Sequence, residues 1–471
     1  ILVSTKAANG NDGEWLLDPE HLWIRDPSWS GYNYTTSGTT TYTALAANPS
    51  ATILVAGVDT RDRGPTVDGV FYQGVTVLRT DTIVTALNSG NVRVVASGLI
   101  DLYGWQAQGT SNYYVNSTTT NKLTLEAGTS ITISGLGNKA VNLPNGTLEL
   151  LAGTTVTQGA GLDNSINAKN LILGKCSSCS TNPTVTLNNS DNQIVNLTLN
   201  NISGTIVTNQ SLTINASSIS GDTVIRTYAA AKDITVNGAL TSSGNGTTLS
   251  LFASRNVLIK NTISGSSGNA LNVNLYSNVD KTSLGAVNIE SGDHITTFGG
   301  NIMIRGGADD PSASCAATYS CANGYAIGNN NPLASIGISI TTATLNAGGG
   351  NILLYGRGHA TATTIGDGIK TFGATISTSG NGTITIYGVG TGAWNGVIFV
   401  ASGTTGTTIN GGTGAIDISG TPASGNSSLF SGIRFDAYST LTTSGNLTLT
   451  GTNSAVSGNY PAVSIGYDLS L

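Results

Sequence analysis

A short phrase recurs down this chain: Gly or Asn, a polar residue, then apolar, polar, apolar, then Gly. With variations it occupies Gly146 to Leu150, Ala168 to Gly174, Asn196 to Asn200, Gln210 to Asn215, Asp233 to Gly238, Gly300 to Gly306, Gly350 to Gly356, Gly382 to Gly388, Gly414 to Gly420 and Gly445 to Gly451. Each copy reads as one short strand, with a period-2 apolar pair such as Ile302/Ile304 or Leu447/Leu449 bracketed by turn-forming residues. A strand this short cannot bury its apolar face alone. Copies repeated along a chain predict stacking on one another as a solenoid, one continuous stiff rod in place of the globular domains that the length would suggest.

The spacing of the phrases organises the chain. From residue 121 to about 300 they come at irregular intervals, and from Gly337 onward the unit is larger and cleaner. There a strand opening Gly-Ile or Gly-Val (Gly337-Ile338, Gly368-Ile369, Gly396-Val397, Gly432-Ile433) recurs at intervals of 31, 28 and 36 residues. The expectation is an all-β solenoid in three stretches: a partly irregular segment 1–120, a β-helix with shorter turns over 121–300, and a β-helix with coils of roughly 30 residues over 301–471. Residues 306–335 interrupt the last stretch and read as a loop projecting from a corner. Val, Ile and Leu should line the inside and Thr, Ser and Asn the outside, with Asn and Gly at corners because they tolerate left-handed backbone angles.

Composition narrows the function classes. Charged residues make up 9% of the 471, yet the 39% apolar fraction sits in regular alternation, which a disordered chain lacks. A net charge of -6, with 19 Lys and Arg in no run, argues against nucleic acid or an anionic membrane as partner. No apolar stretch is long enough to span a bilayer, and the N-terminus does not read as a signal peptide, so a targeting segment was removed or lies outside this sequence. The four Cys fall into two close pairs, Cys176 with Cys179 and Cys315 with Cys321. A CxxC pair can hold zinc or do redox chemistry, but His294 and His359 lack zinc spacing. Two local disulfides, one within each pair, in an oxidising, extracytoplasmic setting are the preferred reading. Neither a metal nor a cofactor is expected.

Residues 10–24, Gly-Asn-Asp-Gly-Glu-Trp-Leu-Leu-Asp-Pro-Glu-His-Leu-Trp-Ile, resemble the WLLDP box of filamentous-haemagglutinin-like adhesins, the exoproteins of Gram-negative two-partner secretion and related autotransporters. Thr82 to Val92 is similar to the helix-and-strand segment that follows that box, and Gly-Gly-Asn-Ile at 299–302 and 349–352 to the family's repeat unit. The resemblance implies a right-handed parallel β-helix, secreted or held at the surface of a Gram-negative bacterium. It also implies an outer-membrane transporter as an export partner and a host or matrix surface, glycan or protein, as the target. The box residues Trp15, Leu16, Leu17, Asp18 and Pro19 would then be structural, at a strand-to-loop transition.

Parallel β-helices also include pectin lyases and polygalacturonases, so carboxylates are weighed as catalysts. Asp309/Asp310 precede a proline in the inserted segment and read as turn formers; Asp59, Asp62 and Asp68 lie in or near a solvated charge cluster; Asp293 beside His294, and Asp367, complete the candidates. None is assigned a catalytic role. Tyr355 and Tyr387 are spaced close to one coil and, with Trp394, could contact glycans, or the tyrosines could form a stacked ladder. Sequons at Asn196, Asn245, Asn381 and Asn446 are glycosylation candidates, although their number is what chance gives in so Asn- and Thr-rich a chain. The expected function is a non-enzymatic adhesin or extracellular fibre protein. The alternatives are a filament subunit stacking head to tail through open ends at 1–24 and 461–471, and a polysaccharide lyase or hydrolase.

Overall fold

The structure, a computed structural model, describes residues 21–25, 66–67, 70–71, 75–105, 114–136, 140–159, 164–280, 284–307, 324–329, 335–359, 366–392, 394–422, 430–436, 438–452, 461–466 and 469–471. The chain divides into two compact units, Ile1–Asn209 and Gln210–Leu471. Each is a parallel β-helix, as the recurring phrase predicts. Among the described strands the one antiparallel pair is Thr66–Val67 with Val70–Phe71.

In the second unit, from residue 302 onward, every coil carries three strands and so has three faces. One face holds Ile338–Thr341, Ile369–Phe372, Val397–Val400, Ile433–Phe435 and Val463–Ile465, each parallel to the next. The next holds Thr344–Asn346, Thr375–Ser377, Thr408–Gly412 and Ser439–Thr443. The third holds Ile302–Gly306, Ile352–Arg357, Ile384–Val389, Ile416–Thr421 and Leu447–Gly451. Because pleating sends alternate side chains inward, register places like upon like: Ile304, Leu354, Ile386 and Ile418 form one column, each fully buried. Phe399 and Phe435 stack inside the coil with centroids 4.8 Å apart.

The three corners differ. Connections from the first face to the second and from the second to the third are short, such as 342–343 and 347–351. The longer connections 307–337, 358–368, 422–432 and 452–462 all leave the corner between the third face and the first. Loops emerge there because lengthening the chain at one corner leaves the register of the flanking strands untouched.

The first unit stacks shorter coils around a column of Val94, Leu125, Leu150, Leu173 and Leu199. Its outward positions are hydroxyls in register: Ser130, Thr155, Thr184 and Ser203 in one column, Thr132, Thr157, Thr186 and Thr205 in its neighbour. Thr184 and Ser203 share a hydrogen bond of 3.2 Å. The helix Thr80–Leu87 and the strand Val92–Ala96 lie where the family-like segment Thr82 to Val92 predicts helix then strand. Ile83 and Leu87 of the helix are fully buried, and Asn121 donates a 2.6 Å bond to the Leu87 carbonyl, satisfying one acceptor at the helix end.

One connection departs from a simple solenoid. His21–Arg25 is flanked by strands that come later, Val75–Arg79 on one side and Leu99–Trp105 on the other. Ile24 faces the interior between Leu78 and Leu102, and Leu22 lies beside Ile100, all five buried.

Asparagine has a second task besides turning. The Asn272 side-chain oxygen accepts the Asn301 N–H at 3.0 Å, Asn301 that of Asn351 at 2.8 Å, and Asn351 that of Thr383 at 2.8 Å. The Asn in the Gly-Asn-Ile phrase thus caps a backbone donor one coil further on, where a corner would leave it unpaired. In the first unit the amides bond to each other, Asn167 to Asn142 at 2.6 Å and Asn142 to Asn116 at 2.7 Å.

Candidate functional site

The third face of the second unit points Tyr355 and Tyr387 outward, directly opposite one another in register. Sequence spacing foresees this pair. A third ring joins them from the end of the inserted segment, where Ala326–Ile327 pairs with Gly356 and Arg357 and brings Tyr325 alongside. Ring centroids are 5.5 Å apart for Tyr355/Tyr387, 5.9 Å for Tyr325/Tyr355 and 5.8 Å for Tyr325/Tyr387. Near-equal distances make a triangular cluster, in which each half-buried ring packs on the other two. The Tyr325 phenol is held well above its ordinary pKa by burial first, then by its neighbours Tyr387 and Tyr355. Nothing in the sequence period marks Tyr325, since the insertion has no repeat of its own.

Trp394 stands apart from this cluster. It packs on Phe430, centroids 5.6 Å apart, in the corner connections. Of the three aromatic candidates the structure therefore brings two together and leaves the third elsewhere.

Behind the same corner runs a polar column inside the coil. Asp367 is fully buried, and its Oδ1 accepts the Asn395 backbone N–H at 3.0 Å and the Asn395 amide at 3.2 Å. Asn395 repeats the device one coil on, its side-chain oxygen accepting the Ser431 N–H at 3.0 Å. Asp367 Oδ2 has no hydrogen-bond partner among the described residues. Burial holds the Asp367 carboxyl above the ordinary carboxylate range, against the opposing pull of Lys370, Asn395 and Arg434. A carboxyl whose folded-state pKa exceeds its unfolded-state value stabilises the fold most below the unfolded value, and that contribution is lost as pH rises through the folded one. Asp367→Asn keeps the accepted bonds and removes the charge, so it is expected to raise the unfolding midpoint at neutral pH and flatten its fall between acid and neutral pH. Thermal unfolding followed across that range checks this. A lower midpoint at neutral pH would count against it.

The remaining sequence candidates scatter. Asp293 is half-buried in a turn, its carboxyl raised by burial and then by Glu290, while His294 and Glu290 are exposed. His359 is buried, and burial lowers its pKa; its backbone N–H donates to Ser335 at 3.0 Å. Asn245, Asn381 and Asn446 are exposed, whereas Asn196 is half-buried and donates its amide to Asn170 at 2.9 Å, so a glycan there would disturb that bond. Among the described residues no group of three or more His, Cys, Asp or Glu could hold a metal ion. No helix of the described residues is long and apolar enough to cross a membrane. The box residues Trp15, Leu16, Leu17, Asp18 and Pro19 and the acids Asp59, Asp62, Asp68, Asp309 and Asp310 lie outside the described residues.

Of the two disulfides that the sequence predicts, the structure shows one. Cys176 and Cys179 are joined, their Cα atoms 5.2 Å apart, a separation that a disulfide spans without moving the backbone. The predicted second bond, between Cys315 and Cys321, is not among those shown. Cys315 lies outside the described residues, and so does Cys321, so Cys176–Cys179 is the one disulfide among them.

The turn closed by Cys176 and Cys179 reaches back along the first unit. Ser177 donates its backbone N–H at 2.7 Å and its hydroxyl at 2.6 Å to Glu126, a side chain that also pairs with Arg93. Burial pushes the Glu126 carboxyl upward, but the bonds from Ser177 and Arg93 outweigh it and leave the pKa lowered. The arrangement clips one turn onto a coil two levels away.

No family model matches the chain, and no curated protein or solved structure matches it.

Proposed function

We propose that this chain is a secreted or cell-surface adhesin, or an extracellular fibre protein, in which a stiff β-solenoid presents loops for attachment. The observation that carries the reading is the single corner. From residue 302 onward, the connections of eleven residues or more, 307–337, 358–368, 422–432 and 452–462, all leave between the third face and the first, while those at the other corners run to seven residues at most. Stacked strands resist bending because any bend must lengthen backbone hydrogen bonds across many coils together. Loops on one edge of such a scaffold can vary without disturbing it, which is what presentation to a host or matrix surface requires. The outward chemistry of the faces, hydroxyl and amide columns with few charges, fits a spacer better than a reaction centre. The WLLDP-like segment supports the same reading by resemblance, and with it export through an outer-membrane transporter.

Shortening the corner connections 358–368 and 422–432 to tight turns tests this directly. Binding of the purified protein to immobilised matrix proteins, glycans and whole cells should fall, while circular dichroism and the unfolding midpoint stay close to those of the parent. Unchanged binding by a folded, loop-shortened protein would refute presentation by that corner. Turnover of pectin or a related polysaccharide by the parent would favour an enzyme instead.

A further inference from the structure

We propose that Tyr325 and Tyr387 are a site of oxidative cross-linking, at which a one-electron oxidant of the haem-peroxidase class, working with hydrogen peroxide, joins the two phenols as a dityrosine. The inference is independent of what the corner loops bind. It rests on three features of the cluster.

The first is proximity. The Tyr325 and Tyr387 centroids are 5.8 Å apart with ring planes inclined at 30°, so the rings are already neighbours and only a small local shift is needed for an ortho carbon of one to reach the other. The carbons ortho to a phenol oxygen are where a phenoxyl radical couples, so two neighbouring phenol rings carry the reacting positions with them.

The second feature is shelter. Tyr325, Tyr355 and Tyr387 are half-buried, accessible enough at the edge to lose an electron yet packed so that another ring of the cluster is the nearest reactant. Two groups held this way react as if each were at very high local concentration. Tyr355, packed against both, can pass oxidation between them but is not needed for the bond.

The third is the consequence for the chain. Tyr325 lies at the return of the inserted segment, and Tyr387 lies on the coil beyond the one that Ala326–Ile327 pairs with. A bond between them fastens the end of the insertion to the solenoid across an intervening coil, covalently reinforcing a junction that the Ala326–Ile327 pairing and hydrogen bonds such as Ile327 N–H to the Gly285 carbonyl at 2.8 Å already hold.

The chemistry balances. Each phenol gives up one electron and its hydroxyl proton, and the two phenoxyl radicals form a single carbon–carbon bond between ortho positions. The two ring hydrogens at those carbons return to the oxygens and restore both phenols. The pair has then lost two electrons and two protons, and these convert one hydrogen peroxide into two waters.

The test treats the full chain with a haem peroxidase and hydrogen peroxide, then reads dityrosine fluorescence and maps cross-linked peptides by mass spectrometry. The expected product is an intramolecular pair containing Tyr325 and Tyr387, lighter than the two peptides by two hydrogens. Tyr325→Phe and Tyr387→Phe each keep the ring packing and should lower the dityrosine yield by about tenfold or more, the kind of margin proximity gives over chance encounter. Tyr438→Phe alters an exposed ring outside the cluster and should leave the yield unchanged. The oxidised parent should also resist protease cleavage in 324–335 more than the oxidised Tyr387→Phe protein. Equal dityrosine in the parent and in both cluster variants, product found only between chains and rising with protein concentration, or no dityrosine at all would each overturn the proposal.

Discussion

Replacing Ile386 with alanine is expected to cost about 2–5 kcal/mol and to loosen three coils while sparing the first unit. Ile386 is fully buried, with Leu354 opposite it on one side and Ile418 on the other. Deleting its outer carbons removes apolar burial and leaves a cavity. The cavity cannot close easily, because the backbone around it is fixed by ladders to both neighbouring coils. In a stack of repeats, stability is a sum of each repeat and its contacts with the next, so the loss should remain local. Hydrogen exchange should rise in Ile352–Arg357, Ile384–Val389 and Ile416–Thr421, with Lys122–Ala127 unaffected. An even loss of protection through both units would contradict nearest-neighbour stabilisation.

Gly204→Ala should be comparably severe for a different reason. Gly204 lies opposite Val185 with φ +117°, and a Cβ added there would stand 1.9 Å from the Val185 carbonyl oxygen. The backbone angle alone costs a residue with a side chain about 1–3 kcal/mol. The collision adds to that, since the obstructing atom is backbone within a paired strand and cannot swing aside. The strand Gln193–Thr208 would have to separate from Thr184–Leu187. Chemical denaturation of the variant should show a clearly lower midpoint, and proteolysis should begin near 184–206. A variant as stable as the parent would mean that the strand takes up the methyl by shifting register.

Much of the fold is legible in the residues themselves. The pair Ile302/Ile304 announces a strand with one apolar face, and both side chains are fully buried where the alternation puts them. The interval between Gly-Ile phrases measures one coil, so Tyr355 and Tyr387 could be placed side by side from spacing alone. Periodicity fails where the chain leaves its period. Tyr325 belongs to a segment without repeats, and only the pairing of Ala326–Ile327 brings it to the other two rings. Asn351 reads as a corner residue tolerant of left-handed angles; what the sequence does not reveal is that its side chain serves the backbone of the next coil. Asp367 looks like another candidate acid until its bonds to Asn395 place it within an interior column.

The placing of His21–Arg25 between Val75–Arg79 and Leu99–Trp105 has a kinetic consequence. Residues 75–79 take their ladder partner from a strand far back in the chain, and that strand in turn needs residues 99–102. A chain laid down from its N-terminal side could not finish this part of the stack on arrival; the early segment must wait for residues 75–79 to pair on one edge and for residues 99–102 on the other. Non-local closure of this kind is slow compared with laying one coil upon the last. Coils that need only their predecessor follow without that wait, so this junction is slower to form than the coils stacked after it.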